Sequence, residues 1–471
     1  MTPAAVLVTI VAYFAAIAFI SWLSGRGKGS HEVFYTGGRK THWAVVAFAM
    51  IGSCMSGVTF VSVPGMVGVS GFGYLQMCIG FFLGYLVIAF VLTPLYFKLE
   101  VVSIYQYLEK RFGMASYKAG AWFFFISKML GASVRLFLVC LTLQLLLFGP
   151  MGLPFWLNVA CNVGVCLVYT FRSGVKSVIW TDVLKTVCMV VAVTLCVVLI
   201  GRDLGGIRID EKVFFFDDVN HPQFFWKQLL GGLFTVIAMT GLDQDMLQRT
   251  LACKDHRDSQ KNLIVSSLLQ TVVIALFLCL GALLYQFASA HGIPERGDEI
   301  FPAVATSGLL PEIVGVLFVL GLVSSAYGAG GSALTSLTTS FTVDILHRGG
   351  EVKVRKAVHL GMAVLMAVTI IVFNALNSTS AIDAVYKLGS YTYGPILGLF
   401  AFGILTRRPV KDKYVPIVAI LAPAICLILQ LNSERWFGGY KFSYELLLVN
   451  AALTFLGLCL LIRRDAPGKA Q

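Results

Sequence analysis

Long runs of apolar residues recur from one end of the chain to the other. An α-helix needs about 20 such residues to cross a bilayer, and about thirteen runs approach or exceed that length. The predicted spans lie near residues 3–23, 43–69, 73–97, 115–148, 153–171, 176–201, 222–249, 259–289, 311–342, 354–375, 379–405, 412–431 and 442–463. The pattern predicts an all-α integral membrane protein with residues 1–471 in a single polytopic domain.

Two of the predicted spans are interrupted. The second, WAVVAFAMIGSCMSGVTFVSVPGMVG, carries glycine, serine and proline at membrane depth, and the seventh, QLLGGLFTVIAMTGLDQDMLQRTLA, carries internal glycines. Non-helical backbone is tolerated inside a membrane only where it is buried in protein or lines a cavity. Broken helices of transporters bind ions and substrates there. The alternative for each span is a kinked helix that only packs.

The interrupted spans are five spans apart in the predicted order. A unit with an odd number of spans reverses its orientation when it is repeated. Residues of about 43–201 and 222–405 are therefore predicted to form an inverted repeat, with the spans near 3–23, 412–431 and 442–463 outside it. Such a repeat indicates a binding site near the middle of the membrane in a secondary transporter.

The ninth span contains a stretch, Gly321–Leu346, that is unusually rich in small and hydroxyl residues. Ser332, Ser336, Thr339 and Ser340 recur there at helical spacing, so they share roughly one face. A polar face within the membrane packs inside a bundle or lines a cavity. A tightly packed helix without a ligand is an equally open interpretation at this point.

Composition and charge agree with a membrane protein. The chain is 58% hydrophobic and only 13% charged, which excludes a soluble globular protein of this length. Lysine and arginine lie mostly in loops after odd-numbered spans, and the loops after even-numbered spans are short or acidic. The net charge of +12 therefore reflects membrane topology and not a nucleic-acid partner. The positive-inside rule predicts an N-terminus outside and a cytoplasmic C-terminus, in the cell (inner) membrane.

Motifs of enzymes and metal sites are missing from the sequence. The 11 cysteines are scattered without a CxxC pair, and no HExxH or GxSxG occurs.

The first span lacks a basic n-region and a clear cleavage site, so we interpret it as retained. We expect no cofactor, a small-molecule solute as partner, and function as a monomer. A non-transporting sensor on the same framework is an alternative, although the tail after Arg464 is short.

Six motifs resemble landmarks of the sodium/solute symporter family in the right order along nearly the whole chain. They are FYTGGRKTHWAVVAFAMIGSCMSG at 34–57, YLEKRFG at 107–113, WTDVLKTV at 180–187, DQDMLQRTLACKD at 243–255, SALTSLTTSFTVDIL at 332–346 and SYTYGPILGLF at 390–400. The resemblance implies the LeuT-like fold and alternating-access cotransport, with Na⁺ as the family's coupling ion.

The resemblance also implies a sodium site between the second and ninth spans. Its ligands would be the backbone carbonyls of Gly52, Met55 and Ser325, followed by two side-chain hydroxyls at Gly328 and Ala329. Neither of the last two residues has a hydroxyl. Because sodium is a hard cation that binds oxygen ligands, we expect this site to be weak. The downstream match contains no gap that would shift the register and restore the hydroxyls.

Asp182 and Lys185 mark the sixth span. The resemblance places Asp182 near the sodium path and Lys185 where the family usually has glutamine. The two residues share a helical face at i, i+3 spacing. An ammonium group in a membrane helix is expensive and is a functional-site hypothesis by default. Three alternatives stay open: Lys185 is a fixed cation that allows ion-independent transport, a carrier of the coupling proton, or the structural partner of Asp182.

Cations within the spans indicate an anionic solute. Lys128 and Arg135 lie seven residues apart in the fourth span and so share roughly one face. With Lys185 they suggest an acidic sugar or a carboxylate, which Arg135 would bind bidentately. The alternatives are a neutral sugar or other polar metabolite as solute, and a Lys128 or Arg135 that extends to the membrane surface, which applies more to Lys128.

Further candidate substrate residues follow the two interruptions or lie on neighbouring spans. They are Ser56, Thr59, Gln76, Met239, Thr240 and Tyr391. Packing or an interhelical hydrogen bond explains each of them equally well.

Overall fold

The computed structural model describes residues 3–24, 41–99, 104–170, 175–205, 216–219, 221, 223–348, 351–376 and 381–463. Within these ranges the regular structure is helical, with two isolated β-bridges and no extended strand. The glycine-rich motif at 34–40 and the tail after Arg463 lie outside the described residues.

The α-helices of the described residues follow one another along the chain with short connections. They are α1 (Pro3–Ser24), α2 (Trp43–Cys54), α3 (Gly57–Ser70), α4 (Tyr74–Val87), α5 (Thr93–Leu99), α6 (Gln106–Arg111), α7 (Met114–Leu143), α8 (Phe155–Thr170), α9 (Val175–Leu204), α10 (Phe225–Val236), α11 (Gln244–Leu251), α12 (His256–His291), α13 (Ile300–Thr306), α14 (Glu312–Ser340), α15 (Val352–Leu376), α16 (Ala381–Leu405), α17 (Val415–Trp436) and α18 (Leu446–Leu460).

Each predicted span coincides with one of these helices or with a pair of them. Among the described residues, eight helices are long and apolar enough to cross a bilayer, or up to ten if each bent pair is one span. Three further apolar helices, Ala4–Ile17, Phe155–Val168 and Leu446–Leu460, are shorter. The all-α membrane fold class is confirmed, whereas the full number of predicted spans stays a prediction.

The break in the second span lies where its sequence is rich in glycine and serine. The axes of α2 and α3 differ by 64°. Ser56 has extended backbone between them and caps α3, and its own N–H donates to Thr59 Oγ1 at 3.3 Å. That N–H would otherwise close the next turn of α2 on the Gly52 carbonyl. The interrupted helix predicted here is confirmed.

The seventh span is also broken, with 70° between its two halves. α10 passes through a π-helical turn, Ile237–Gly241, before α11 begins. Asp243 is the N-cap of α11, and its side chain accepts hydrogen bonds from two backbone N–H groups at 2.9 and 3.4 Å. The predicted break at Met239 and Thr240 is therefore a few residues too early, because the aspartate fixes where the second half starts.

Glycine allows α4 and α10 to approach each other closely. A Cβ atom at Gly80 would lie 2.2 Å from the Leu229 carbonyl oxygen, and one at Gly232 would lie 2.3 Å from the Met77 carbonyl oxygen. No real Cβ atom tolerates such distances. Small residues have this role at helix contacts in membranes, where backbones must meet without intervening side chains.

Helix α14, which contains the small-residue stretch of the ninth span, is central in the bundle and packs against α9, α7, α8 and α1. Several of its hydroxyls donate into its own backbone. Ser324 and Ser325 donate to carbonyls three residues earlier at 3.0 and 2.9 Å, and Thr339 donates to the Thr335 carbonyl at 3.0 Å. These hydroxyls are satisfied locally, as is usual for serine and threonine inside helices.

We predict that Gly80→Leu lowers the free energy of unfolding by about 1–3 kcal/mol, because the new side chain has backbone atoms in its way. Thermal unfolding of the detergent-solubilised protein measures the change. Gly164→Leu is the matched control, since a Cβ at this helical glycine of α8 has nothing within 4 Å. Equal shifts for the two variants would show that close packing at Gly80 is not what stabilises the α4–α10 contact.

Candidate functional site

A cavity of about 120 Å³ lies between the two broken helices and α7. Ser53 and Cys54 at the end of α2 contribute to its wall, and so do Thr240 and Asp243 from the region of the second break. Polar side chains therefore meet at the points where both helices lose their regular backbone. This is the arrangement that a solute site in a transporter requires.

Arg135 of α7 is half-buried in the wall of this cavity. It forms no hydrogen bond or ion pair with the described part of the chain. Phe81 and Met239 supply apolar surface to the same wall. A guanidinium group with five N–H donors and no internal partner is a ready ligand for a carboxylate.

Lys128 lies about two helical turns before Arg135, and its ammonium group is paired with carboxylates. Its Nζ donates to both carboxylate oxygens of Asp243 at 3.1 and 2.9 Å and lies 3.7 Å from Asp245. The Tyr393 hydroxyl also donates to Asp243, at 3.1 Å. The alternative that Lys128 extends to the membrane surface is therefore wrong. Its ammonium neutralises Asp243, so this carboxylate does not oppose an anion in the cavity.

Asp182 lies at the meeting point of four helices. Arg249 donates to its Oδ2 through Nε at 3.3 Å and Nη2 at 3.1 Å, and Ser53 donates to the same oxygen at 2.7 Å. Arg249 also lies 2.7 Å from Asp245 and donates to Ser332 Oγ at 3.2 Å. We call the five linked charges, Asp182, Arg249, Asp245, Lys128 and Asp243, the buried ion-pair network.

Lys185 does not belong to this network. It is 1% exposed, and its Nζ has no hydrogen-bond partner among the described residues. It lines a second, very small cavity of about 10 Å³ with Tyr13 of α1 and Tyr327 of α14. The Asp182–Lys185 ion pair considered above does not form, because the Asp182 carboxylate is committed to Arg249. The roles of Lys185 as a fixed cation or as a proton carrier stay predictions.

The predicted ion ligands at the end of α2 lie directly against α9. A Cβ at Gly52 would lie 2.7 Å from the Asp182 carbonyl oxygen. Met55 follows the last helical residue and has extended backbone. On α14, the hydroxyl of Ser325 donates to the Leu322 carbonyl of the same helix, and Ala329 has no hydroxyl. The surroundings of Gly328 lie outside what the structure describes.

The predicted substrate residues divide into two groups. Three of them line the cavity, namely Arg135, Met239 and Thr240. The other four are not among the residues of its wall, and their side chains have structural partners. Ser56 and Thr59 form the reciprocal cap of α3, Gln76 donates to two backbone carbonyls at 3.2 and 3.0 Å, and Tyr391 donates to a glutamine of α17.

Sequence reasoning missed three members of the ion-pair network, Asp243, Asp245 and Arg249. Asp243 stands immediately before a short helix, which is the signature of an N-cap residue. Asp245 and Arg249 have the i, i+4 spacing of a helical ion pair. Both signals were present in DQDMLQR, but the tertiary partners of these residues come from other spans and leave no local trace.

The model of the sodium:solute symporter family matches residues 34–411 of the chain. The chain belongs to this family. It is therefore a secondary transporter and not an enzyme. The family is sodium-coupled, and its members carry small solutes through multi-pass membrane domains.

Individual relatives of this symporter-family chain agree in class. A sodium/sialic acid symporter of Aliivibrio fischeri is 27% identical over 434 residues, which cover 85% of the chain and 83% of that protein. The mouse sodium-coupled monocarboxylate transporter 1 is 26% identical over 413 residues, which cover 83% of the chain and 67% of that protein.

A solved structure of a Na⁺-coupled sialic acid symporter in a substrate-bound outward-open state matches the fold. Its TM-score is 0.80 over 97% of both chains, at 20% identity. The LeuT-like fold implied by the sequence motifs is confirmed.

We predict that Arg249→Gln and Asp182→Asn each destabilise the protein by about 3–5 kcal/mol, since either change leaves the opposite charge buried and unpaired. The double variant should regain part of that loss, because it removes both charges together. Thermal unfolding in detergent measures the three variants. Lys261→Gln is the control, because Lys261 forms an exposed pair with Asp258 at 3.4 Å, of a kind that contributes only about 0–1 kcal/mol. Strictly additive losses in the double variant would contradict the pairing.

Proposed function

We propose that the chain transports a small organic anion, an acidic sugar or a carboxylate, by alternating access. The observation that carries this proposal is Arg135, a cation without a partner among the described residues, on the wall of the cavity between the broken helices. A carboxylate would accept two parallel N–H···O bonds from its guanidinium. The paired Lys128 and Asp243 beside it add no net charge.

The balance of buried charges supports a monoanion. The charged side chains of the two cavities and of the buried ion-pair network are four basic and three acidic residues. They are Lys128, Arg135, Lys185 and Arg249 on one side, and Asp182, Asp243 and Asp245 on the other. When all are ionised, one positive charge is in excess. Buried charge is stable only when it is compensated, and a bound monoanion compensates it.

The named relatives support the same class of solute. Sialic acids and monocarboxylates, the substrates in the names of the two relatives described above, share one chemical feature. Each carries a single carboxylate that is ionised at neutral pH. A half-buried arginine in the central cavity is the side chain suited to that group.

We also propose the predicted topology: inverted repeats at about 43–201 and 222–405, an N-terminus outside, a cytoplasmic C-terminus in the inner membrane, and function as a monomer. The support comes from the helix breaks. Each proposed repeat opens with a helix that is bent, by 64° in the first and 70° in the second.

The coupling that we propose is only weakly dependent on sodium. Gly328 and Ala329 offer no side-chain hydroxyls to the ion, and Asp182 is already paired with a guanidinium. Arg249 donates to both Asp182 and Ser332, so a fixed cation occupies the Asp182 carboxylate, which the resemblance places near the sodium path. Lys185 offers a second route, proton coupling. Ordinary sodium symport, as in the family generally, is the alternative that the measurement below tests.

We predict that Arg135→Gln weakens binding and uptake of an acidic solute at least about tenfold, because charge-assisted hydrogen bonds contribute about 1.5–3 kcal/mol. Arg135→Lys should retain part of the affinity, since it keeps the charge but loses the planar fork. Proteoliposome uptake of labelled N-acetylneuraminic acid and pyruvate measures the effect. Arg202→Gln, at the exposed end of α9, is the charge-matched control. Unchanged uptake by Arg135→Gln would sink the proposal.

We predict that uptake into proteoliposomes persists when choline replaces sodium. The triple variant Lys185→Gln, Gly328→Ser, Ala329→Ser should make uptake more dependent on sodium, because it supplies the missing hydroxyls and removes a competing cation. Initial rates across a sodium series measure both proteins. A steep sodium requirement in the unmodified protein, or no change in the triple variant, counts against the proposed coupling.

A further inference from the structure

Helix α7 presents Ser127, Gly131 and Arg135 to the cavity. These residues are four apart in sequence, so they lie one above another on one helical face. The Cα atoms of the first and last are about 12 Å apart along the helix axis. One strip of a single helix therefore carries the unpartnered arginine and, about two turns away, a serine on the same cavity wall.

Gly131 leaves open space in the middle of this strip. A Cβ atom built there meets nothing within 4 Å, whereas one at Gly120 of the same helix would lie 2.6 Å from Leu108 Cδ1. Close packing against another helix therefore does not explain Gly131. A glycine in a helix interior is less favourable than alanine. The feature that distinguishes this position is room on the cavity wall between Arg135 and Ser127.

Ser127 contributes a buried hydroxyl to the cavity wall. It is 6% exposed, and its Oγ has no hydrogen-bond partner among the described residues. Several hydroxyls of α14, by contrast, donate into their own helix. Lys128, the residue after Ser127, is paired with Asp243. Within this turn of α7, Ser127 is the group left to bind a solute.

We propose that Ser127 and Gly131 determine which anions the cavity selects. This inference rests on the proposed function, in which Arg135 binds the solute's carboxylate. The body of the solute lies over Gly131, and a hydroxyl or amide group at its far end exchanges a hydrogen bond with Ser127. The selected class is an extended monocarboxylate with a polar group remote from the acid, such as an acidic sugar. A two- or three-carbon acid is too short to reach both ends of the strip.

The test uses the full-length protein in detergent and measures binding by titration calorimetry. The probes are N-acetylneuraminic acid, glucuronate and pyruvate. Gly131→Val should weaken binding of the two sugar acids at least tenfold and leave pyruvate binding within twofold, because only the longer solutes lie over this position. Gly131→Ala should have a smaller effect in the same direction. Ser127→Ala should weaken the sugar acids about threefold to tenfold and leave pyruvate unchanged.

Two controls separate the possible causes. Gly164→Val changes a helical glycine with equally open surroundings away from the cavity, and should leave all three affinities unchanged. Unliganded Gly131→Val should unfold at the same temperature as the unmodified protein, since its side chain enters open space.

The outcomes distinguish this inference from the proposed function. Sugar-acid binding that survives Gly131→Val and Ser127→Ala but is lost in Arg135→Gln overturns the selectivity strip alone. Binding that survives Arg135→Gln overturns the proposed function. Failure of the unmodified protein to bind any of the three probes overturns both.

Discussion

The carboxylate of Asp182 is where the broken second span, α9, α11 and α14 are joined. Ser53 donates to it, and Arg249 binds it while also contacting Asp245 and Ser332. Buried charges of this kind are stable only when each has its partner in good geometry. The cavity depends on this condition, because Ser53 belongs both to the cavity wall and to the hydrogen bonds of Asp182.

Glycine has two opposite roles in this bundle. At Gly80 and Gly232 the missing side chain brings two backbones together, so helices pack without a gap. At Gly131 the missing side chain keeps the wall open. The same residue type thus closes the bundle in one place and leaves space in another. Only the surroundings of each glycine, and not its presence in the sequence, distinguish the two uses.

Much of the fold could be predicted because membrane helices leave strong local signals. Apolar runs located the helices, and glycine, serine and proline at membrane depth indicated which two spans are broken, although the second break lies a few residues after the predicted position. The site was predicted less completely. Arg135 was found because a cation in an apolar run stands out. The partner of Asp182 was not found, because Arg249 lies 67 residues away and the nearer Lys185 was the only candidate that helical spacing could suggest. Gln76 and Tyr391 are polar for reasons of local hydrogen bonding, which composition does not separate from solute binding.

Arg249 has a consequence for the electrical work of transport. A guanidinium fixed to the protein returns with it after each cycle, so under the proposed coupling it contributes no charge to the net movement across the membrane. A monoanion carried alone into a negative cell interior moves against the field, at a cost of about 2.3 kcal/mol per 100 mV. Under the proposed coupling, the membrane potential would therefore drive net flux of the solute outward, unless its concentration gradient or an accompanying proton opposed that drive.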